Sequence, residues 1–218
     1  MASAATPMFA LQSVLLPGSP LPLHVFEPRY VAMLDTVIST DQEMGVVLIE
    51  RGREVGGGDV RCDVATMARV MEARQLADGR LLVMALGVHR IRVRRWLPDD
   101  PHPCAETEDW PDEPEDDSPR ADEVLPPLAG LVSEARSLAL RLEHAPGPRP
   151  EAAEPAPVDL GSDLAQASYR AAALAPLGPL DRYEVLCSPG ANQRLAVAHR
   201  VVSDAVELLR ARIELGTG

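Results

Sequence analysis

The segment from Trp110 to Arg120, WPDEPEDDSPR, divides the sequence into two halves with different hydrophobic patterns. Before it, apolar residues mostly alternate with polar ones or form β-branched runs, as they do in strands. After it, apolar residues recur every three or four positions, as they do in amphipathic helices. The segment itself has no apolar periodicity, and its prolines lie too close together for a helix. The chain is therefore predicted to be α+β, with strands and helices segregated along the sequence.

Five regions of the first half have the pattern of strands. The predicted strand at 44–50 is followed by Gly56-Gly57-Gly58, which is typical of a flexible hairpin turn. Gly87 is a position where the predicted strand at 80–96 could be interrupted. These regions predict a strand-rich unit over residues 1–110. They cover residues 9–16, 44–50, 62–73, 80–96 and, as an edge strand, 105–110.

One helix is predicted inside this half, beginning at Glu27-Pro28. Proline suits the first helical turn because its missing N–H would have no partner there, and Glu27 suits the positive end of the helix dipole. Apolar residues then recur at helical spacing, so one face of the helix is expected to pack on the strands. They are Tyr30, Met33, Leu34, Val37 and Ile38.

The second half reads as an acidic linker followed by helices. The linker is assigned to residues 111–123 and a helical bundle to residues 124–218, with a Pro/Ala-rich flexible loop at 145–157. The last helix has a broad apolar stripe that must pack on a partner. The predicted helices cover residues 124–142, 162–175, 179–187 and 191–215.

The sequence contains no lysine, since its 21 basic residues are all arginine. A Walker A loop needs a lysine to reach the nucleotide phosphates, and a Ser–Lys dyad needs one as its base. Both are excluded. There is also no GxSxG or HExxH motif, so a hydrolase is the least favoured class, and no catalytic residue is assigned.

Most of the net charge of −12 comes from one segment, because residues 106–123 contain ten acidic residues against Arg120 alone. This acidity disfavours binding to phosphate backbones. The recurring prolines give no fixed ligand geometry, so a solubilising linker is a better interpretation than a metal site.

The three cysteines, Cys62, Cys104 and Cys187, lie far apart and form neither a zinc motif nor a disulfide framework. A reducing cytoplasm therefore fits best. The first 26 residues lack a basic region and contain four prolines, so neither a signal peptide nor a membrane anchor is expected. No metal, cofactor or membrane contact is predicted.

Residues 21–30, LPLHVFEPRY, resemble the motif that leads from strand into helix in the amino-terminal substrate-binding domain of Lon-type proteases. Three further segments resemble that family. They are GVVLIERG (45–52), LLVMALGVHRIRV (81–93) and LAPLGPLDRYEVL (174–186). The turn before the motif, Pro17-Gly18, also fits the family's order of elements.

The resemblance implies a small β-barrel of the PUA-like type over residues 1–110, with one inserted helix, followed by a helical bundle ending in a long helix. In the full protease an ATPase and a Ser–Lys peptidase follow this domain. This chain stops at Gly218 and has no lysine. The expected function is that of a free-standing, non-catalytic module that binds unfolded or hydrophobic polypeptide.

The candidate binding residues all belong to the LPLHVFEPRY motif; they are Leu23, His24, Phe26, Glu27, Arg29 and Tyr30. A structural interpretation competes with ligand contact at each. Leu23, Val25 and Phe26 fit barrel core, whereas the three polar residues could fix the strand–helix junction through a charge pair and a hydroxyl hydrogen bond. His24 is either a satisfied structural histidine or a group that binds or switches near neutral pH.

Two other functions remain open. Arg90, Arg92 and Arg94 share one face of a strand and could bind RNA, although no aromatic residue is interleaved and a solvated face is favoured. Nucleic acid is thus an unlikely partner. The module could instead be an adaptor that binds one folded protein through the acidic linker or the last helix.

Overall fold

The computed structural model describes residues 5–115, 117–143 and 157–216. The predicted Pro/Ala-rich loop falls outside these residues except at Pro157. The chain divides into two units, Met1–Pro111 and Asp112–Gly218. The first is made of strands and one helix and the second of helices, which confirms the predicted α+β class.

The described part of the first unit contains six strands and one helix. The helix, α1 (Pro28–Ser39), lies between the second and third strands. The strands are β1 (Thr6–Leu11), β2 (Pro20–Val25), β3 (Glu43–Arg51), β4 (Val60–Gln75), β5 (Leu81–Trp96) and β6 (Cys104–Asp109).

These strands pair in the order β2-β5-β4-β3-β1-β6, and β6 pairs again with β5. Five strands therefore close into a barrel, with β2 outside the ring. Strands β1 and β3 are parallel, and the other pairs are antiparallel.

The prediction that residues 105–110 form an edge strand is wrong, because β6 is bonded on both sides. Thr6 of β1 lies opposite Ala105, and Ile91 of β5 lies opposite Asp109. Strand β5 is sixteen residues long, so its first half pairs with β2 and its second half with β6. A closed barrel removes the exposed edge that this strand would otherwise present.

Strand β5 runs through Gly87 without a break. A Cβ at this position would lie 2.6 Å from the carbonyl oxygen of Leu16, so only glycine allows so close an approach. The Gly87 N–H donates to the Ser19 carbonyl at 3.0 Å, and its own carbonyl accepts from the Gly18 N–H at 2.9 Å. The glycine thus holds the Pro17-Gly18 turn against the strand.

Two apolar clusters lie on opposite faces of the strands. Because successive side chains of a strand alternate, Phe9 and Leu11 enter one cluster and Met8 and Ala10 the other. Helix α1 packs on the first cluster through the apolar face predicted from the sequence. Four of its five apolar residues are buried, and Ile38 is half-buried. This packing places the start of α1 at the end of β2.

The described part of the second unit contains four helices, close to the predicted ones. The last is the longest at 26 residues. The first begins three residues earlier than predicted and contains Pro126 and Pro127 near its start. The helices are α2 (Ala121–Glu143), α3 (Leu164–Leu174), α4 (Pro179–Leu186) and α5 (Ala191–Gly216).

Part of the acidic segment is bound to α5, contrary to the expectation of a solvated linker. The buried Arg194 guanidinium donates to both carboxylate oxygens of Asp112, at 2.8 and 2.6 Å, and to Ser168 Oγ at 2.7 Å. Glu115 accepts the Asn192 N–H in the first turn of the helix at 2.9 Å. A buried cation needs a fixed carboxylate partner, and Asp112 supplies it.

Candidate functional site

The candidate residues surround the corner where β2 passes into α1. Strand β2 ends at the buried Val25, and α1 begins at Pro28, so Phe26 and Glu27 form the link. The predicted course of the motif from strand into helix is confirmed. Proline occupies the first turn, as expected.

Tyr30 is a buried support of this corner. Its ring stacks on Phe9 with the centroids 4.1 Å apart. Its hydroxyl oxygen accepts the backbone N–H of Ala10 at 3.3 Å. Burial raises the pKa of the Tyr30 hydroxyl, so the group stays neutral and keeps its proton.

Arg29 ties the corner to the loop between β3 and β4. Its Nε donates to Glu27 Oε2 at 3.2 Å, which is the predicted charge pair. Its Nη2 donates to the backbone carbonyl of Glu54 at 2.9 Å, and its guanidinium lies 4.4 Å from the centre of the Tyr30 ring. One side chain thus links strand end, helix start and loop.

The β3–β4 loop forms one wall of the site. The three consecutive glycines at 56–58 have positive φ, a conformation that glycine adopts at little cost. Glu54 Oε1 accepts the Gln12 N–H at 2.5 Å, and the Gly56 N–H donates to Glu27 Oε2 at 3.3 Å. These bonds hold the loop against the corner. The loop is therefore more constrained than the flexible turn that the sequence predicts.

An ion pair anchors the far end of this loop. Arg61 Nε donates to Asp59 Oδ2 at 2.5 Å, and Arg61 also bonds to Asp99. Burial opposes ionisation of Asp59. The hydrogen bond from Arg61 and the positive charges of Arg61 and Arg29 outweigh this effect and hold the Asp59 pKa below its usual range.

A pocket of about 210 Å³ opens between the corner and the loop. Drug-sized ligand sites measure about 300–1,000 Å³, so this volume suits one or two side chains. Five of the six candidate residues line it, and Arg29 lies behind the wall. The lining residues are Phe9, Ala10, Leu11, Pro22, Leu23, His24, Val25, Phe26, Glu27, Tyr30, Glu54 and Val55.

The pocket mouth exposes apolar side chains. Phe26 is 56% exposed and Val55 58% exposed, whereas Leu23 is half-buried. The interpretation of Phe26 as core is therefore wrong, because the residue lies in the link, outside both the strand pattern and the helix pattern. His24 is exposed too, with its ring 6.4 Å from that of Phe26, so it is not a buried structural histidine.

Strand β2 lies at one end of the strand order and carries Pro20 and Pro22. Proline has no N–H, so a peptide adding to this edge would meet no backbone donor at either position. A complete backbone ladder therefore cannot form along this edge.

The arginine strand has a different environment. Arg90 is only 3% exposed, which contradicts a solvated face. The guanidinium groups of Arg90 and Arg92 lie 4.4 and 4.1 Å from the centre of the Trp110 ring, and Arg94 pairs with Glu108. An aromatic residue is therefore interleaved after all, supplied by the chain just after β6.

Across residues 5–115, 117–143 and 157–216, no group of three or more His, Cys, Asp or Glu side chains is placed to hold a metal ion. The Cys104 thiol lies 3.4 Å from His102 Nδ1, but burial raises its pKa and so disfavours the reactive thiolate. No helix in the described ranges is both long and apolar enough to cross a membrane.

The chain thus combines a closed five-stranded barrel, a pocket at the corner where β2 passes into α1, and a helical unit. The family model of the substrate-binding domain of ATP-dependent protease La (LON) matches residues 5–204. The chain belongs to this family, which confirms the resemblance seen in LPLHVFEPRY.

Solved structures agree with this assignment. A Lon N-terminal domain protein from Xanthomonas campestris is 27% identical, with a TM-score of 0.62 over 88% of this chain and 95% of that one. The N-terminal domain of the Lon protease of the Mycobacterium avium complex shares the fold, at 18% identity and a TM-score of 0.57 over 92% of this chain and 98% of that one. A search of curated protein sequences finds no match.

Proposed function

We propose that this protein is a non-catalytic polypeptide-binding module whose corner pocket holds an apolar side chain of an extended or unfolded client. The observation that carries the proposal is the pocket itself, with Phe26 and Val55 more than half exposed at its mouth. Exposed apolar groups around a concave site are a mark of protein or ligand binding. Membership of a substrate-binding family supports the same role.

The size of the pocket favours weak, reversible binding. Burying one large apolar side chain contributes about 1.5–3 kcal/mol. A dissociation constant of about 1 μM requires about 8 kcal/mol, so further contacts along the client must supply the rest. Such a site favours unfolded chains, because a folded protein buries most of its large apolar side chains whereas an unfolded chain exposes them.

The proposed role ends at binding. The sequence has no lysine, so a Ser–Lys peptidase site cannot form within it. None of the described cysteines is in a disulfide bond, which suits a reducing compartment, and we place the protein in the cytoplasm.

Fluorescence anisotropy with labelled, denatured client peptides tests the proposal. The double variant Phe26→Ala/Val55→Ala removes the exposed apolar mouth, and we expect it to weaken binding about tenfold, equivalent to about 1.4 kcal/mol. The matched control, Val88→Ala/Leu180→Ala, removes two exposed apolar side chains outside the pocket and should bind as the wild type does. Equal binding by the pocket variant, or no binding of any denatured peptide by the wild type, would contradict the proposal.

The alternative functions have less support. RNA binding through the arginine strand would require cations that face solvent, whereas Arg90 and Arg92 contact Trp110. An adaptor that binds its partner through the acidic segment could not use Asp112 and Glu115 fully, because both carboxylates are already bonded to α5.

A further inference from the structure

We infer that the corner pocket selects an apolar side chain whose neighbour in the client sequence is lysine or arginine. This inference deepens the proposed function and rests on it. It names the chemistry of the preferred client, a hydrophobic residue beside a basic one.

The charges of the pocket lining are the first observation. Glu27 and Glu54 are its only charged members, and the other side chains are apolar except for His24 and the Tyr30 hydroxyl. A client residue entering the pocket therefore meets carboxylates and no lining cation.

The two carboxylates differ in how far the protein itself neutralises them. Glu27 pairs with Arg29 and also accepts the Gly56 N–H. Glu54 accepts only the backbone N–H of Gln12 through Oε1 and forms no ion pair with any residue in the described part of the chain. Arg29 reaches the Glu54 carbonyl but not its carboxylate. The pocket lining therefore keeps the uncompensated negative charge of Glu54.

The position of this charge sets the client register. Glu54 directly precedes Val55, whose exposed side chain forms part of the pocket mouth. Consecutive Cα atoms are about 3.8 Å apart, so a client residue that packs on Val55 brings its neighbour within reach of Glu54. A long Lys or Arg side chain can lay its apolar stem on the pocket wall and direct its cation to the carboxylate.

The expected selectivity is modest. A partly exposed ion pair changes the dissociation constant about two- to fivefold, and salt weakens it. The remaining acidity of the protein lies mainly in residues 106–123 and is unchanged in a variant that alters Glu54 alone. A preference that is lost in such a variant would therefore come from Glu54 rather than from net charge.

Fluorescence anisotropy with three labelled peptides tests this inference. Each peptide contains a single phenylalanine, and the residue beside it is Lys, Gln or Glu. The wild type should bind the Lys peptide most tightly and the Glu peptide least, with the difference shrinking at 0.5 M salt. The variant Glu54→Gln keeps an oxygen that accepts the Gln12 N–H, so thermal unfolding should show an intact fold. Its preference for the Lys peptide over the Glu peptide should disappear. The control Asp63→Asn removes an exposed carboxylate outside the pocket and should retain the preference.

The outcomes separate this inference from the proposed function. Equal binding of the three peptides by the wild type would overturn the charge selection and leave peptide binding intact. A Lys preference that survives in Glu54→Gln would overturn the role of Glu54. Failure of all three peptides to bind, together with every other denatured client, would overturn the proposed function itself.

Discussion

The strand–helix corner and the arginine strand lie in the same unit of the chain, and the sequence marks both as candidate binding surfaces. At the corner, Phe26 and Val55 are more than half exposed beside a pocket, and Glu54 has no ion-pair partner among the described residues. On the arginine strand, Arg90 and Arg92 lie against Trp110, and Arg94 is paired with Glu108.

The difference shows how a binding surface can be told from a structural one. Groups whose interactions are satisfied within the protein gain little from a ligand, because a new contact replaces one already made. Apolar surface and charge that lack an internal partner gain most. By this criterion we propose that the corner is the binding surface and that the arginine strand is scaffold. Four substitutions test that division; the first should cost the most stability and the last the least.

Replacing Trp110 with alanine should cost the most stability. The variant leaves the buried Arg90 and its neighbour Arg92 without the ring they contact, so we expect the free energy of unfolding to fall by about 2–3 kcal/mol. Urea denaturation measures this loss. Peptide affinity should not change under conditions where the variant is folded. A variant as stable as the wild type would break the comparison, because the contacts with Trp110 would then contribute nothing to the scaffold.

Replacing Asp59 with asparagine should weaken the anchor of the pocket wall. Arg61 loses one carboxylate but keeps Asp99, with a hydrogen bond of 3.0 Å, so we expect a loss of about 1–2 kcal/mol rather than the larger cost of an orphaned buried charge. Urea denaturation at pH 7 measures this change, and no change would show that the loop needs no anchor.

The same residue gives a pH dependence. The Asp59 pKa is lowered in the folded protein, so the unfolded chain takes up its proton first as the pH falls. Its stabilisation is complete above the unfolded pKa of about 3.9 and is lost as the pH falls further through the folded pKa. Stability should therefore fall less steeply below about pH 4 in Asp59→Asn than in the wild type.

Replacing Tyr30 with phenylalanine should separate the scaffold of the corner from its contact surface. The variant removes a buried hydroxyl that accepts the Ala10 N–H, and we expect a loss of about 0.5–1 kcal/mol in the free energy of unfolding. Thermal unfolding measures it. Peptide affinity should stay within twofold of the wild-type value, a change of about 0.4 kcal/mol or less. A larger loss would mean that the hydroxyl itself contacts the client.

Replacing Arg94 with alanine should change least. Its guanidinium is exposed and pairs only at the surface, so stability should change by less than about 0.5 kcal/mol. The same protein should show no RNA affinity that depends on this residue in a filter-binding assay. Salt-sensitive RNA binding that Arg94→Ala reduces would reverse the roles of the two surfaces.

The elements of the fold could be predicted from the sequence because their signals are local. Alternation in 62–73 and 80–96 indicated β4 and β5, and Pro28 at the start of an apolar stripe indicated α1. The second pairing of β6 could not be predicted in this way, because it depends on closure of the barrel.

The same limit applies to the site. The motif indicated the corner, but its hydrophobicity could not show that Phe26 faces solvent. Glu54 and Val55 were missed because a bond from Arg29, 25 residues away, brings their loop to the pocket. Likewise, no local pattern places Trp110 beside Arg90 and Arg92, since that contact follows from the pairing of β5 with β6.

Site-specific photocrosslinking tests the central claim most directly. A photoreactive amino acid is placed at position 26 or 55 in the corner, or at position 94 on the arginine strand, and each protein is irradiated with a labelled denatured peptide. We expect strong crosslinks from positions 26 and 55, reduced by excess unlabelled peptide, and background labelling from position 94. Labelling that is strongest at position 94, or equal at all three, would contradict it.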